Sequence, residues 1–181
     1  TIAAILDHTT FAELARRSQA RGIRFPRLRE VRTLGEVLTA EVRELCRQAW
    51  GVSVTDSYSS QEAGYLALQC PAYEHYHVQS EFVLVEVIDG QGSPCAPGVP
   101  GRVVITPLHN FATPLVRYDI GDYATFGAAC DCGRGLPVLA RIMGRVRNML
   151  RLASGGAYWP MLGTGSFSDI APVLQHQFVQ K

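Results

Sequence analysis

The chain has 181 residues, 47% of them hydrophobic and 18% charged, and its 17 basic and 16 acidic side chains give a formal charge of +1. That size suits one domain with a sizeable core, or one domain and part of another, and the composition excludes an intrinsically disordered chain. Near-neutrality removes any electrostatic case for nucleic acid or an acidic membrane, and apolar runs no longer than a strand, such as residues 82–88, exclude a transmembrane helix.

Residues 10–21 carry Phe11, Leu14, Ala15 and Ser18 at helical spacing, which predicts a helix capped by Thr9 or Thr10, stopped at Gly22, with Arg16, Arg17 and Arg21 on a solvated face. Residues 27–33 alternate, with Leu28 and Val31 as core positions, before a turn at Gly35. Thr39 opens a second helix, 40–50, whose apolar stripe is Val42, Leu45, Cys46, Ala49 and Trp50. After Gly51 comes a short β-branched strand, 52–55, and then a polar loop, 58–64.

From Tyr65 the period becomes extended, predicting strands at 65–69, 76–89 and 102–107, the last two joined by a glycine- and proline-rich loop. Further short strands are expected at 115–118, 123–126 and 138–143. A loop at 150–156, a helix from Pro160 to about Leu174 and a final strand at 175–180 follow a domain boundary near 144–150. The class is α/β of the α+β kind, β-rich from about residue 65.

Four stretches carry chemistry. The loop S-Y-S-S-Q-E-A-G (57–64) offers hydroxyls and the Glu62 carboxylate to phosphate oxygens and a magnesium ion. In R-Y-D-I-G-D (117–122), Asp122 follows a glycine turn and presents two acceptor oxygens that suit a sugar diol; in isolation the same pattern caps its own turn. The others are G-R-V-R-N-M-L (144–150) and L-G-E-V-L-T (34–39).

The five cysteines, Cys46, Cys70, Cys95, Cys130 and Cys132, are odd in number and sparse, which favours a reducing, cytoplasmic setting over a disulfide framework. Cys46 reads as a core residue and Cys95 as an exposed loop residue without a role. Cys130 and Cys132, with Gly133 permitting the turn, can place two sulfurs on one metal. Cys70 with His75 or His77, in C-P-A-Y-E-H-Y-H, would complete a closed four-ligand structural zinc site.

Taken in order, these motifs resemble the adenylate-forming superfamily of acyl- and aryl-coenzyme A synthetases, in the branch that looks like phenylacetate-coenzyme A ligases. The Y-S-S-Q-E string is similar to the family's tyrosine-glycine-x-threonine-glutamate loop, which puts Tyr58 near adenine, Ser60 and Gln61 at the phosphates and Glu62 on magnesium. The resemblance gives Asp122 the ribose hydroxyls, with Ile120 where the family has threonine, and gives Arg145 the ribose and phosphate. Asn148 falls at the family's hinge, and Gly35 and Glu36 beside adenine, with Leu34 and Val37 replacing a glycine and a proline. Zinc-bearing relatives space a histidine seven residues after the cysteine, which favours Cys70, His77, Cys130 and Cys132 as ligands.

The resemblance implies that residues 1–144 are the C-terminal part of an AMP-binding large domain, 145–149 a hinge and 150–181 the start of a small mobile domain. It implies ATP, magnesium and coenzyme A as cofactors and co-substrates. A small carboxylic acid, aromatic by preference, would be converted to an acyl-adenylate and then a thioester, in a parent expected to form a homodimer. The chain starts at Thr1 without methionine, and the family's phosphate-loop and catalytic lysines have no counterpart here, so it reads as a piece that is inactive alone. Two other readings are an adenylation domain that loads a carrier protein and a non-catalytic zinc-stapled module that binds a nucleotide or partner.

Overall fold

In the computed structural model, residues 2–146 and 149–159 are described. A nine-stranded sheet runs in the order β1-β2-β3-β4-β5-β9-β8-β7-β6. Its first strands, β1 (Ile2–Leu6), β2 (Leu28–Leu34) and β3 (Ser53–Ser60), are parallel and joined by helices α1 (His8–Ala20) and α2 (Ala40–Trp50). The rest is antiparallel: β4 (Gly64–Gln69), β5 (Tyr76–Val78), β6 (Val83–Ile88), β7 (Gly101–Pro107), β8 (Tyr118–Phe126) and β9 (Val138–Arg145). A separate small hairpin pairs β10 (Leu150–Arg151) with β11 (Ala157–Tyr158).

Two cores share this one sheet. Phe11, Ala12 and Ala15 of α1 and Val42, Cys46 and Ala49 of α2 close over Val31 and Val54 of the parallel strands. The antiparallel half buries Tyr58, Leu66, Val78, Val83, Val85, Val87, Val103, Ile105, Ile120 and Leu139 together. Each such aliphatic side chain contributes roughly 1.5–3 kcal/mol on burial. β3 belongs to both: Val54 faces the helices, and Tyr58, four residues on, faces the second core. Alternation along β6, with Val83, Val85 and Val87 inside and Leu84 exposed, is the period-two pattern its residues predicted.

Helix α2 starts and stops where its sequence says. The Thr39 hydroxyl accepts the Val42 N–H at 3.3 Å, and Gly51 closes the helix in the left-handed region at φ 69°. Helix α1 begins earlier than expected, and its cap is neither Thr9 nor Thr10. Asp7 takes that position because its carboxylate accepts the Thr10 N–H at 2.8 Å and both threonine hydroxyls.

Three other expectations are corrected. Residues 58–60 continue β3, so the polar stretch after it is a tight hairpin turn; the Ser60 hydroxyl closes it by accepting the Ala63 N–H at 3.2 Å. The single strand expected at 76–89 is broken at 79–82, where the Phe82 and Val83 N–H groups both donate to the Gln79 carbonyl. Residues 115–117 are not a strand, because Arg117 turns into the left-handed region at φ 49°; the strand begins at Tyr118 and runs unbroken through Asp122. Among the described residues no helix is long and apolar enough to cross a membrane. The expected helix from Pro160, the strand at 175–180 and the hinge residue Asn148 lie outside the described residues.

Candidate functional site

Antiparallel pairing sets Asp122 of β8 directly opposite Arg145 of β9. The Arg145 Nε stands 3.1 Å from Asp122 Oδ1, and its Nη1 donates to the Ile120 carbonyl at 2.5 Å. From the far side, the Tyr58 hydroxyl donates to Asp122 Oδ2 at 2.8 Å. Asp122 is 6% exposed, so one buried carboxylate is held between a phenol and a guanidinium that itself reaches solvent.

The strand geometry makes this convergence possible. Gly121, at φ 77°, lets β8 bulge without a side chain; a Cβ there would lie 3.7 Å from Arg145 Nη1. Gly144, at φ 89°, brings β9 beside the segment after β2, where a Cβ would touch Val37 Cγ2 at 3.5 Å. The L-G-E-V-L-T segment is thereby set against the strand that carries Arg145, with Gly35 and Glu36 exposed. Asp119 supports the bulge, accepting the Gly121 N–H at 2.8 Å and an Arg102 N–H at 2.8 Å.

Burial pushes the Asp122 carboxyl above its usual value; the Tyr58 hydrogen bond and the Arg145 charge oppose this, and the negative charges of Glu62 and Asp119 add to it. Tyr58 is held far above an ordinary phenol by burial and by the Asp122 charge, so it remains a hydrogen-bond donor. Glu62 is half-buried in the β3–β4 turn, close enough for its charge to be felt at Asp122. Gln61 is exposed on the same turn, and the Ser60 hydroxyl is used to close it. A carboxylate with two oxygens, beside a solvent-reaching cation and a second carboxylate, can bind a diol on one side and a cation-bearing polyphosphate on the other.

A second cluster lies where β4, β5 and the loop between β8 and β9 meet. The Cys70 N–H donates to the His75 carbonyl at 2.8 Å, folding the turn so that ligand atoms of Cys70, His75, His77 and Cys130 all lie within 4.8 Å of one another. Cys132 joins them, its Sγ 3.2 Å from His77 Nε2 and its N–H donating to Cys130 Sγ at 3.4 Å. The structure thus gathers five donors, including both histidines of the motif.

The donor set fits zinc. His75 Nε2 is buried without a hydrogen-bond partner, which leaves its lone pair unspent on protein, and His77 turns its Nε2 to the Cys132 sulfur. Burial, with His75 beside it, holds His77 below its usual value and therefore neutral. Burial pushes the Cys130 thiol up to about 11. Burial acts upward on Cys70 too, but the Ala72 and Tyr73 N–H groups and the Cys132 and Cys130 thiols outweigh it and hold Cys70 below an ordinary thiol.

The motifs did not point to Thr33, Asp56, Gln69 and Tyr76, a buried hydrogen-bonded group carried on β2, β3, β4 and β5. A sequence signal existed: Asp56 stands two residues before Tyr58, on the same face of one strand.

No protein-family model matches the chain. Over 129 residues it is 31% identical to the phenylacetate-coenzyme A ligase of Thermus thermophilus, covering 68% of this chain and 29% of that protein. Its fold matches the crystal structure of 2-hydroxyisobutyryl-CoA ligase in the postadenylation state, in complex with R3-HIB-AMP, at a TM-score of 0.77 and 22% identity, over 87% of this chain and 35% of that one. It also matches the anthranilate CoA ligase AuaEII in complex with anthranoyl-AMP, at a TM-score of 0.62 and 18% identity, over 87% of this chain and 32% of the other. The chain thus spans less than a third of the curated relative it matches.

Proposed function

We propose that this chain, a stretch of the adenylate-forming superfamily, supplies the ribose clamp of an ATP-dependent carboxylate–coenzyme A ligase. The observation that carries the reading is the convergence of Tyr58, Asp122 and Arg145 on one buried carboxylate. Asp122 accepts the ribose hydroxyls of ATP, Tyr58 holds Asp122 in place, and Gly35 and Glu36 border the adenine. Arg145 exchanges its ion pair with Asp122 for the ribose and α-phosphate.

In the reaction, a substrate carboxylate oxygen attacks the α-phosphorus, pyrophosphate leaves, and a thiol then displaces AMP from the acyl-adenylate. Positioned cationic and hydrogen-bonding groups lower that barrier because charge accumulates at the α-phosphate in the transition state. Glu62 would hold the magnesium ion that accompanies ATP, whose charge would neutralise phosphate oxygens. Ser60 and Gln61 border the same phosphates, and Asn148 is the pivot about which a small C-terminal domain from residue 150 moves against 1–144. Aromatic acids are the preferred substrates, coenzyme A the acceptor, and a cytoplasmic homodimer the working form.

Zinc would be held by Cys70, His77, Cys130 and Cys132, with His75 as a neighbouring donor, and would act as a structural staple between β4, β5 and the 127–137 loop. By itself the segment is inactive in this reading, because none of its residues matches the family's phosphate-loop or catalytic lysines.

The test is ATP–pyrophosphate exchange with phenylacetate, anthranilate and short hydroxy acids, in a ligase containing this segment. Exchange that depends on the acid and disappears in Asp122→Ala is expected. Acid-dependent exchange that survives Asp122→Ala would refute the clamp. Supplying coenzyme A or a phosphopantetheinylated carrier protein to the same enzyme identifies the acceptor.

A further inference from the structure

We infer that Asp56 is a positioning residue for the nucleotide clamp: held between Thr33 and Tyr76, its carboxylate fixes the face of β3 from which Tyr58 reaches Asp122. The inference rests on the reading of Tyr58 and Asp122 given above, and it adds residues that no motif of the chain singles out.

Asp56 is 4% exposed, and both its oxygens are taken by hydroxyl donors, Thr33 Oγ1 at 2.5 Å and Tyr76 Oη at 2.6 Å. Its own N–H donates to Gln69 Oε1 at 2.9 Å, and Gln69 Nε2 in turn donates to the Glu74 carbonyl at 3.3 Å. The nearby cation Arg43 spends its hydrogen bonds on the Val54 carbonyl and on Gln69 Oε1, not on Asp56. Burying a carboxylate between neutral donors is an expensive way to fill space, and apolar residues of similar volume at all of these positions together would hold the fold comparably. What such a network supplies is direction, since each bond fixes an angle as well as a distance.

The direction points at the clamp. Asp56 and Tyr58 are two residues apart on one strand and share a face, so restraint at Asp56 sets the height and tilt at which the Tyr58 ring enters the second core. Thr33 lies opposite Asp56 in the β2–β3 register, tying this point to the helix-covered half of the sheet. Tyr76 ties it to the other half. It sits on β5, a strand of three buried residues, where the next residue, His77, faces the Cys/His cluster from the opposite side. β5 is therefore gripped on one face by Asp56 and on the other by the cysteines. It also pairs with β9, the strand that ends at Arg145. Both arms of the clamp thus take their position from strands meeting around Asp56.

The experiment uses the 181-residue chain and compares Tyr76→Phe, Thr33→Val and Asp56→Asn with Tyr58→Phe. In the nucleotide-free chain, the Asp122 carboxyl is titrated by carbon-13 NMR. Tyr58→Phe removes a bond that favours ionised Asp122, so its titration moves up; Tyr76→Phe is expected to move it in the same direction with metal content unchanged. For the nucleotide, AMP is compared with 2′,3′-dideoxy-AMP. Tyr76→Phe should weaken AMP by about 5-fold, the worth of one hydrogen bond, and shrink its advantage over the dideoxy form. Added to Tyr58→Phe it should cost little more, because the two act through one bond.

A folded Tyr76→Phe chain with unmoved Asp122 titration overturns the inference, as do losses that simply add. If Asp56→Asn fails to fold, Tyr76→Phe and Thr33→Val still decide the matter, since each deletes only one donor. If the wild-type chain ignores AMP while Asp122 still follows Tyr76, the nucleotide reading falls and the positioning role of Asp56 stands.

Discussion

Tyr58→Phe removes one hydroxyl and leaves the ring in the core, which makes it a sharp probe of the clamp. The lost bond, 2.8 Å to a carboxylate 6% exposed, is a charge-assisted one, worth about 2 kcal/mol. Asp122 Oδ1 keeps Arg145 at 3.1 Å, so the variant strands one oxygen rather than the whole charge. For a chain of this size the loss should lower the melting temperature by roughly 4–8 °C.

The pH dependence has a definite sign. Burial raises the folded-state pKa of Asp122 above 3.8, so stability linked to this group is fully present below 3.8 and is lost as pH rises through the folded value. The Tyr58 hydroxyl offsets part of that loss, because it binds the ionised form. The cost of Tyr58→Phe must therefore be larger at about pH 7 than at about pH 3.5, where a protonated Asp122 needs the donor less. Urea unfolding of both proteins at the two pH values measures it. An equal cost at both would refute the reasoning, since the phenol would then not be bonded to an ionisable Asp122.

Three further expectations follow from local geometry. Metal analysis of the purified chain should find about one zinc per molecule, with Cys70→Ser and Cys132→Ser each losing it and melting several degrees lower; a zinc-free wild type of equal stability would remove the staple. Gly101→Ala should cost about 2–3 kcal/mol by chemical denaturation, although its backbone is ordinary, because a Cβ there would lie 2.5 Å from Cys95 Sγ and 2.6 Å from the Ile88 carbonyl oxygen. Asp7→Ala should cost about 1 kcal/mol at neutral pH through loss of the α1 cap. The Thr10 and Thr9 hydroxyls and the Thr10 N–H hold the Asp7 carboxyl far below 3.8, so its contribution is present above 3.8 and fades as acid protonates it; a difference from wild type that persists unchanged in strong acid would contradict the cap.

Much of the architecture was legible in the chain because it is encoded locally. The Thr39 and Gly51 boundaries of α2, the alternation of Val83, Val85 and Val87, and the C-x-C turn all rest on neighbours within a few residues. The misread elements fail where local signals compete or a partner is distant: Asp7 outcompetes the threonines after it for the α1 cap, and Gln79 closes a turn inside an extended run. Thr106 Oγ1, for example, accepts the N–H of a left-handed Arg117 eleven residues away.

The site divides along the same line. Which groups could serve, a tyrosine, two carboxylates, an arginine and a set of sulfurs and imidazoles, was determined by the sequence, because chemical type and short spacing are properties of the chain itself. That Tyr58 meets Asp122 across 64 residues, that Thr33 and Tyr76 close on Asp56, and that Cys130 and Cys132 reach Cys70 and His77 were decided only by the tertiary structure. Those distances depend on the register of β3, β5, β8 and β9. A slip of one residue would turn Tyr58, Asp56, Tyr76, His77 or Asp122 to the opposite face of the sheet.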